Sequence, residues 1–389
     1  MTSRAGKPSL VGLVGLAFLL GILGFGGGYA VAHRVRRAVV DDRRWMSSED
    51  FFDAFSVASS LPGTTATNLF TFLGHRTAGL AGASIATAAF LAPSVVLMIA
   101  FGAAYDHLRG LDAVASMLDG MGAATVGVVA AVAVEMRSHG VKDRVGWVLA
   151  VGATLALTTR ALSLLEVVAV GGAVGATTLR PPPTGGDPPV RSAGPLRGLI
   201  AAGPVALVTA SPLLALAAVF GRIGVATFGG GVAMISPMEH EVVQVHHWLP
   251  ERIFNDAIVL GQITPGPIAI TATFIGYRVA GTFGARVTTL AMFGPPFALT
   301  VIAARALPAF RTNRALRGFF NGVAPVIVGA IAAAAVALAR SALHAWWEVL
   351  IALGALGLLL WRPRASPLVA LVGGAVLEVA VHALTARGR

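Results

Sequence analysis

The chain has 389 residues, of which 56% are hydrophobic and only 12% charged, with a mean hydropathy of +0.78. Soluble domains carry about a quarter charged residues, so a soluble globular protein is excluded and a polytopic membrane protein is indicated. A net charge of +11 reads as arginine-rich cytoplasmic loops rather than as a nucleic-acid surface, and zero cysteines exclude disulfides, thiolate metal sites and thiol redox chemistry.

In chain order, the first apolar segment covers 10–32. Arg4 and Lys7 ahead of it give the form of a signal peptide, but retention is expected because the segment runs into Phe25, Gly26, Gly27 and Gly28, which recur later. A basic loop follows, with Arg34, Arg36, Arg37, Arg43 and Arg44. Ser47-Ser48-Glu49-Asp50 has the form of a capping box and starts a helix over 51–60 that is too short to span. Pro62-Gly63 breaks it, and a second short helix over 64–73 ends at His75-Arg76. Two half-length helices meeting at Pro-Gly predict a re-entrant hairpin, tolerated at membrane depth where it is buried in protein or lines a cavity. Spanning helices are predicted at 79–104, 113–134, 146–159 and 162–179; the one at 146–159 is short and must be thin or tilted.

Six prolines with Gly185, Gly186 and Asp187 across 180–195 predict a linker. Beyond it the first half recurs. Phe25 to Gly28, Val39-Val40, Trp45, Phe51, Asp53-Ala54 and Pro62-Gly63 return at a constant offset of 203, and after a one-residue slip so do Gly74, Arg76, Gly79, Gly82-Ala83 and Pro93. The second copy has a first span over 212–235, a hairpin over 253–276, and spans at 281–304, 318–339, 346–361 and 367–384. The short apolar stretch 200–209 reads as an interfacial piece or an extension of the sixth span. The domains are therefore 1–179 and 198–389, joined by a Pro/Gly-rich cytoplasmic linker at 180–197.

Five spans per copy is an odd number, so the copies are expected to face opposite ways. The loop 33–45 holds five arginines, while its counterpart 236–248 holds none and carries Glu239 and Glu241. Further on the sign reverses, with one arginine in 105–112 and four in 305–317. Positive short loops stay cytoplasmic. The predicted fold is an all-α polytopic membrane protein of two inverted-topology repeats, each of about five transmembrane helices plus a re-entrant Pro-Gly hairpin. That is the architecture of secondary transporters, with the site near the midplane at the repeat interface.

Several residues could carry chemistry. Gly26, Gly27 and Gly28, and their counterparts Gly229, Gly230 and Gly231, read either as helix breaks whose amides face an anion or as tight helix packing. The turns at Pro62-Gly63 and Pro265-Gly266-Pro267 are the breakers that half-helices need. Arg222 lies inside its span, as an anion anchor or snorkelling toward headgroups; Leu19 holds the equivalent place. Asp53 and Asp256 match each other on the helices entering the hairpins, as proton carriers or as solvated N-terminal acids, and Glu241 is a further proton-coupling candidate. Arg76 and Arg278 close the hairpins, attracting anions or contacting headgroups. Gln262 is placed to donate hydrogen bonds to an oxyanion. Glu166 and Glu378, near the outer ends of their spans, read as snorkelling, and His246-His247 beside Trp248 as a wet loop. The nine histidines have no metal spacing, and neither a nucleotide fingerprint nor a catalytic triad is visible, so no cofactor, metal or enzymatic activity is expected.

At these repeated motifs the chain resembles the chromate ion transporter (CHR) family in its long-chain, two-domain form. The matching text is Arg222-Ile223-Gly224, Thr227 to Gly231, Glu241-Val242-Val243, Trp248-Leu249, Phe254, Asp256-Ala257, Gln262-Ile263-Thr264-Pro265-Gly266-Pro267 and Gly276-Tyr277-Arg278, with Gly24 to Gly28, Trp45, Leu61-Pro62-Gly63 and Gly74 in the first copy. The resemblance implies a multi-pass carrier of the bacterial inner membrane that exports chromate on the proton gradient and confers chromate resistance. The first copy departs from the pattern at Ser59, Thr64 and His75, where the family's glutamine, second proline and tyrosine would stand. A sulfate or other oxyanion carrier, and an anion channel, are the alternatives. The expected partners are a chromate- or sulfate-like oxyanion and membrane lipid, with no nucleic acid; a homodimer is left open.

Overall fold

The structure, a computed structural model, describes residues 9–24, 27–179, 211–228, 231–305 and 314–387. The expected linker at 180–197, the stretch 200–209, Gly26, Gly229, Gly230 and residues 306–313 of the arginine-rich loop lie outside them.

The first half runs α1 (Leu10–Leu23), α2 (Gly27–Arg36), α3 (Ser48–Ser60), α4 (Thr65–Arg109), α5 (Asp112–Gly140), α6 (Arg144–Thr158) and α7 (Leu164–Thr178). The second runs α8 (Pro212–Ala226), the short α9 (Ile235–Glu239), α10 (Glu251–Ile263), α11 (Thr271–Arg305), α12 (Arg314–Ala342), α13 (Trp346–Trp361) and α14 (Pro367–Arg387). Five of these helices are long and apolar enough to cross a membrane, and five shorter apolar ones accompany them.

The duplication extends to backbone detail. The chain enters the left-handed region at Gly63 (φ 100) and Gly266 (φ 112), the two hairpin tips. Within α4 the helix kinks at Ala78 (φ −145, ψ 32) and Gly79 (φ 61, ψ −146); within α11 it kinks at Ala280 (φ −143, ψ 31) and Gly281 (φ 59, ψ −152). An L side chain resists such φ values, so glycine fixes where each hairpin turns back. Past the kink the two arms pack closely: Thr71 and Thr87 share a 2.7 Å hydrogen bond, as do Thr273 and Thr289.

Three expectations are corrected. The segment 10–32 is not one span, because α1 stops at Leu23 and α2 restarts at Gly27 and runs through the supposed basic loop to Arg36, ending in the wider π-helical turn Arg37–Asp42. The span 212–235 is likewise divided, and the loop after it contains α9 and a π-helical turn, His240–Val245. The second hairpin arm also continues past His75-Arg76 to the Ala78-Gly79 kink.

The halves are interwoven rather than side by side. α7 packs on α12 and α14 on α5; α6 packs on α12 and α13 on α5. Small residues allow this close approach: Gly120 meets Gly374, and their counterparts Gly322 and Gly171 meet in the same way. The equivalent helices α5 and α12 run antiparallel, with Gly122 beside Ala342 and Gly140 beside Val328.

Candidate functional site

The halves meet most intimately at the hairpin tips. The Gly63 N–H donates to the Thr227 carbonyl (2.5 Å), at the end of α8; the Gly266 N–H donates to the Gly24 carbonyl (3.2 Å), at the end of α1. Each tip therefore seats on the broken first helix of the other half. The surroundings are hydroxyl-rich and uncharged. Ser94 Oγ donates to the Pro265 carbonyl (2.6 Å), Thr64 pairs with Thr67 (2.7 Å), and Asn68 Nδ2 donates to the carbonyls of Pro62 (2.8 Å) and Ala58 (3.1 Å). Pro62, Gly63, Pro265, Pro267 and Gly231 are buried; Gly231 lies at φ 93, packed against Ile268. Gln262, one residue before the α10 end, keeps a buried Nε2 with no hydrogen-bond partner among the described residues.

A charged network surrounds Asp256. This carboxylate is 3% exposed, which overturns its reading as a solvated N-terminal acid: α10 is packed against α4, α5 and α12. It accepts from Tyr105 Oη (2.5 Å) and faces Arg109 Nε (3.2 Å), and Arg109 also reaches Asp119 (2.5 Å). Arg252 approaches Asp119 from the other side (3.4 Å). Arg278 forms a two-pronged pair with Asp106, 2.9 Å on each prong, with its guanidinium over the Tyr105 ring. Beside the network lies a cavity of about 540 Å³, bounded in part by Asn255, Ser341 and Glu348. Asn255 and Ser341 exchange hydrogen bonds (2.8 and 3.0 Å), tying α10 to α12.

Arg222 lies elsewhere. It is half exposed and 3.4 Å from Glu241, which His246 also approaches at 3.4 Å. Both line a second cavity of about 460 Å³ with Arg160, Glu239, His240 and Arg340. Glu239, 8% exposed, accepts from Gln244 Nε2. Burial holds its carboxyl above the ordinary range, outweighing the downward pull of Gln244 and Arg160.

The arginines expected at one site are thus apart: Arg278 sits on Asp106, Arg76 3.5 Å from Asp50, and Arg222 on Glu241. Asp53 is half-buried. Gly27 and Gly28 open α2. Glu378 does not snorkel. Glu166 caps its own helix through Ser163, and Glu378, 5% exposed, accepts from the Trp347 indole (3.1 Å) because α14 turns that face onto α5. His246 stacks on Trp248, and His247 is exposed. Sequence reasoning missed Tyr105, Asp106, Arg109, Asp119 and Ser94. Asp119 had a signal, an acid inside a predicted span, and Tyr105 is one of only three tyrosines; Ser94 had none.

A family model described as chromate transporter matches this chain twice, over residues 11–176 and 214–379. The chain is 31% identical over 367 residues to a chromate transport protein of Cupriavidus metallidurans, covering 94% of this chain and 91% of that one. It is 35% identical over 345 residues to a probable chromate transport protein of Synechococcus elongatus, covering 87% and 86%. An uncharacterized transporter of Methanocaldococcus jannaschii is 27% identical over 357 residues, covering 89% and 88%. No solved structure matches. These relatives are transport proteins rather than enzymes, and the double match agrees with the duplicated all-helical, multi-pass architecture. The chain belongs to the chromate transporter family.

Proposed function

We propose that this protein is a secondary transporter that exports chromate across the cytoplasmic membrane of a bacterium by alternating access, driven by the proton gradient, and so confers chromate resistance. The reading rests on two inverted repeats, 1–179 and 198–389, joined by a cytoplasmic linker. The observation that carries it is the exchange of hydrogen bonds between halves, Gly63 to Thr227 and Gly266 to Gly24. Two equivalent tips, each docked on the other half's broken helix, make a symmetric pair of gates, and the antiparallel α5 and α12 fit copies facing opposite ways.

The substrate residues are Arg222, Gln262, Arg278 and Arg76, with the backbone at Gly26 to Gly28, Gly229 to Gly231, Pro62-Gly63 and Pro265-Gly266-Pro267. Gln262 has the clearest support, since its buried amide lacks a partner. Asp53, Asp256 and Glu241 are the proton carriers. Tetrahedral dianions share one shape and charge, so substrate choice is read by competition.

The test is chromate flux into vesicles of reconstituted protein under an imposed proton gradient. Wild type should give saturable flux that follows the gradient, with Arg222→Leu and Gln262→Ala each lowering it roughly tenfold, the scale of one charge-assisted hydrogen bond. Sulfate that is carried in preference to chromate, or unitary currents in place of saturation, would replace the reading with the sulfate carrier or the channel. Unchanged flux in both variants removes the site residues alone.

A further inference from the structure

We infer that the cavity beside Asp256 is the proton inlet of the carrier: it brings protons from the outer face to Asp256, with Arg109 and Asp119 as the positioning pair that stays joined when Asp256 is neutralised. This deepens the proton-driven export reading and rests on it, choosing Asp256 among its proton carriers and giving the proton a route. An outer inlet is what export on an inward gradient requires, because the proton boards from the side to which the anion is released.

The cavity of about 540 Å³ lies at one end of the bundle. It is walled by the first turns of α5 (Asp119, Gly122), the start of α10 (Glu251, Arg252), the end of α12 (Ser341) and the start of α13 (Glu348). The loops at that end, 105–112, 236–248 and 343–345, hold one arginine among them, against five in 33–45 and four in 305–317. Positive loops stay cytoplasmic, so this end is the outer one.

Asp256 borders the cavity and engages one oxygen only. Tyr105 Oη (2.5 Å) and Arg109 Nε (3.2 Å) both fall on Oδ2, and Oδ1 makes no hydrogen bond or ion pair among the described residues. Buried acids at membrane depth are the usual carriers of protons. Delivery from cavity water forms the Oδ1–H bond, cancels the Asp256 charge and changes no other group. Arg109, whose side chain is 11% exposed, is not stranded by that step. Its Nη1 donates to the Ala115 carbonyl (2.6 Å) and its Nη2 to Asp119 (2.5 Å), whereas Nε makes no hydrogen bond despite its nearness to Oδ2. Arg109 therefore keeps a carboxylate and a carbonyl when Asp256 becomes neutral.

The ionisable groups that face Asp256 are Tyr105 and Arg109 from α4, Asp119 from α5 and Arg252 from its own helix. The other elements packed on α10 have theirs turned elsewhere. Arg278 on α11 is held by Asp106, and Glu378 on α14 faces Asp119 and Glu348. Glu239 on α9 faces Glu251, Glu241 in the π-helical turn pairs with Arg222, and α12 brings the uncharged Ser341. At the positions matching Tyr105 and Asp119 the second half carries Leu307 and Asn321. The first hairpin thus lacks the matching tyrosine and acid, and the inlet belongs to one hairpin.

The test exploits the absence of cysteine. Gly122→Cys puts the only thiol of the full chain on the cavity wall, where its Cβ meets nothing nearer than the Ala342 Cβ at 3.9 Å. Right-side-out membrane vesicles are loaded with radiolabelled chromate, and efflux is followed into media of falling pH. Untreated, this variant should match wild type; a membrane-impermeant methanethiosulfonate added outside should then abolish the acceleration by outer acid. Asp256→Asn should lose that acceleration without reagent. Arg109→Lys, which cannot span both acids, should move the outer pH of half-maximal efflux up by about one unit, and Asp119→Asn, which commits Arg109 to Asp256, should move it down. A purely structural role would not give opposite shifts. Acceleration that survives the reagent, or profiles that do not part in opposite directions, overturns the inlet. Exchange for unlabelled chromate without a gradient reports the carrier alone. Its persistence confines such a failure to the inlet, whereas wild type without exchange, or without any response to outer acid, sinks the reading beneath it.

Discussion

The two hairpins share a backbone and differ in chemistry. Both turn at a left-handed glycine, both kink one helical arm later with nearly identical angles, and both lend the tip amide to the opposite half. Yet Asp256 is 3% exposed and held by Tyr105 and Arg109, while Asp53 is half-buried. Arg278 grips Asp106 on two prongs, while Arg76 reaches Asp50 at 3.5 Å with both side chains nearly half exposed. Gln262 leaves an amide unpartnered, while its counterpart Ser59 donates to the Ser56 carbonyl (3.2 Å). Duplication preserved the turning geometry, which glycine dictates, and released the side chains of one copy from matching the other.

The difference is open to attack at Arg109. Removing one partner of a buried pair strands the other charge, at a cost of about 3–5 kcal/mol. Arg109→Ala should therefore lower the detergent melting temperature strongly, and adding Asp256→Asn should restore part of the loss. Arg76→Ala, by contrast, breaks an exposed pair worth about 0–1 kcal/mol. Equal losses from the two arginine variants would erase the energetic distinction between the hairpins. Arg278→Ala should fall between, because its partner Asp106 is largely exposed although the guanidinium is not.

The tips sharpen the comparison from the backbone side. Alanine at Gly63 would place a methyl 2.6 Å from the Pro296 Cβ, and at Gly266 the methyl would press on the Ser94 hydroxyl. Each also forces an L residue to positive φ, about 1–2 kcal/mol. Gly63→Ala should be the more damaging, since a proline ring in α11 yields less than a rotatable hydroxyl. Comparable melting temperatures for the two would mean that the neighbours give way equally.

Glycine and proline made much of this legible in advance. Pro62-Gly63, Pro265-Gly266, Gly79 and Gly281 announce where helices must stop or bend, and apolar runs set the spans. The Ser47 cap is legible for the same local reason: its hydroxyl accepts from the Asp50 N–H (3.0 Å). The site was less legible because its partners lie far apart in the chain. Nothing near Asp256 in sequence says that Tyr105 and Arg109 will cover it, so it reads as a solvated helix-start acid. Arg278 reads as a loose closing cation until Asp106 is brought to it. The continuation of α2 through Arg34 and Arg36 was hidden by their charge, although an Arg34 bond to the Leu23 carbonyl ties that turn back to α1.

The smallest effect separates Glu239 from its counterpart Arg36. The two follow the broken first helices at matching positions; Glu239 is buried beside Gln244, and Arg36 pairs loosely with Asp41 at 3.3 Å. Because burial raises the Glu239 carboxyl in the folded protein, protonation favours folding. That contribution is complete below the unfolded glutamate range and disappears as pH climbs through the raised folded value. Glu239→Gln keeps the shape and removes the titration. The melting temperature of wild type relative to Glu239→Gln should thus be highest in acid and decline toward neutral pH, whereas an Arg36→Gln comparison should be flat over the same window. A difference that instead grows toward neutral pH would mean that Gln244 and Arg160 stabilise the charged carboxylate more than burial penalises it, and that the second half uses Glu239 as an anion.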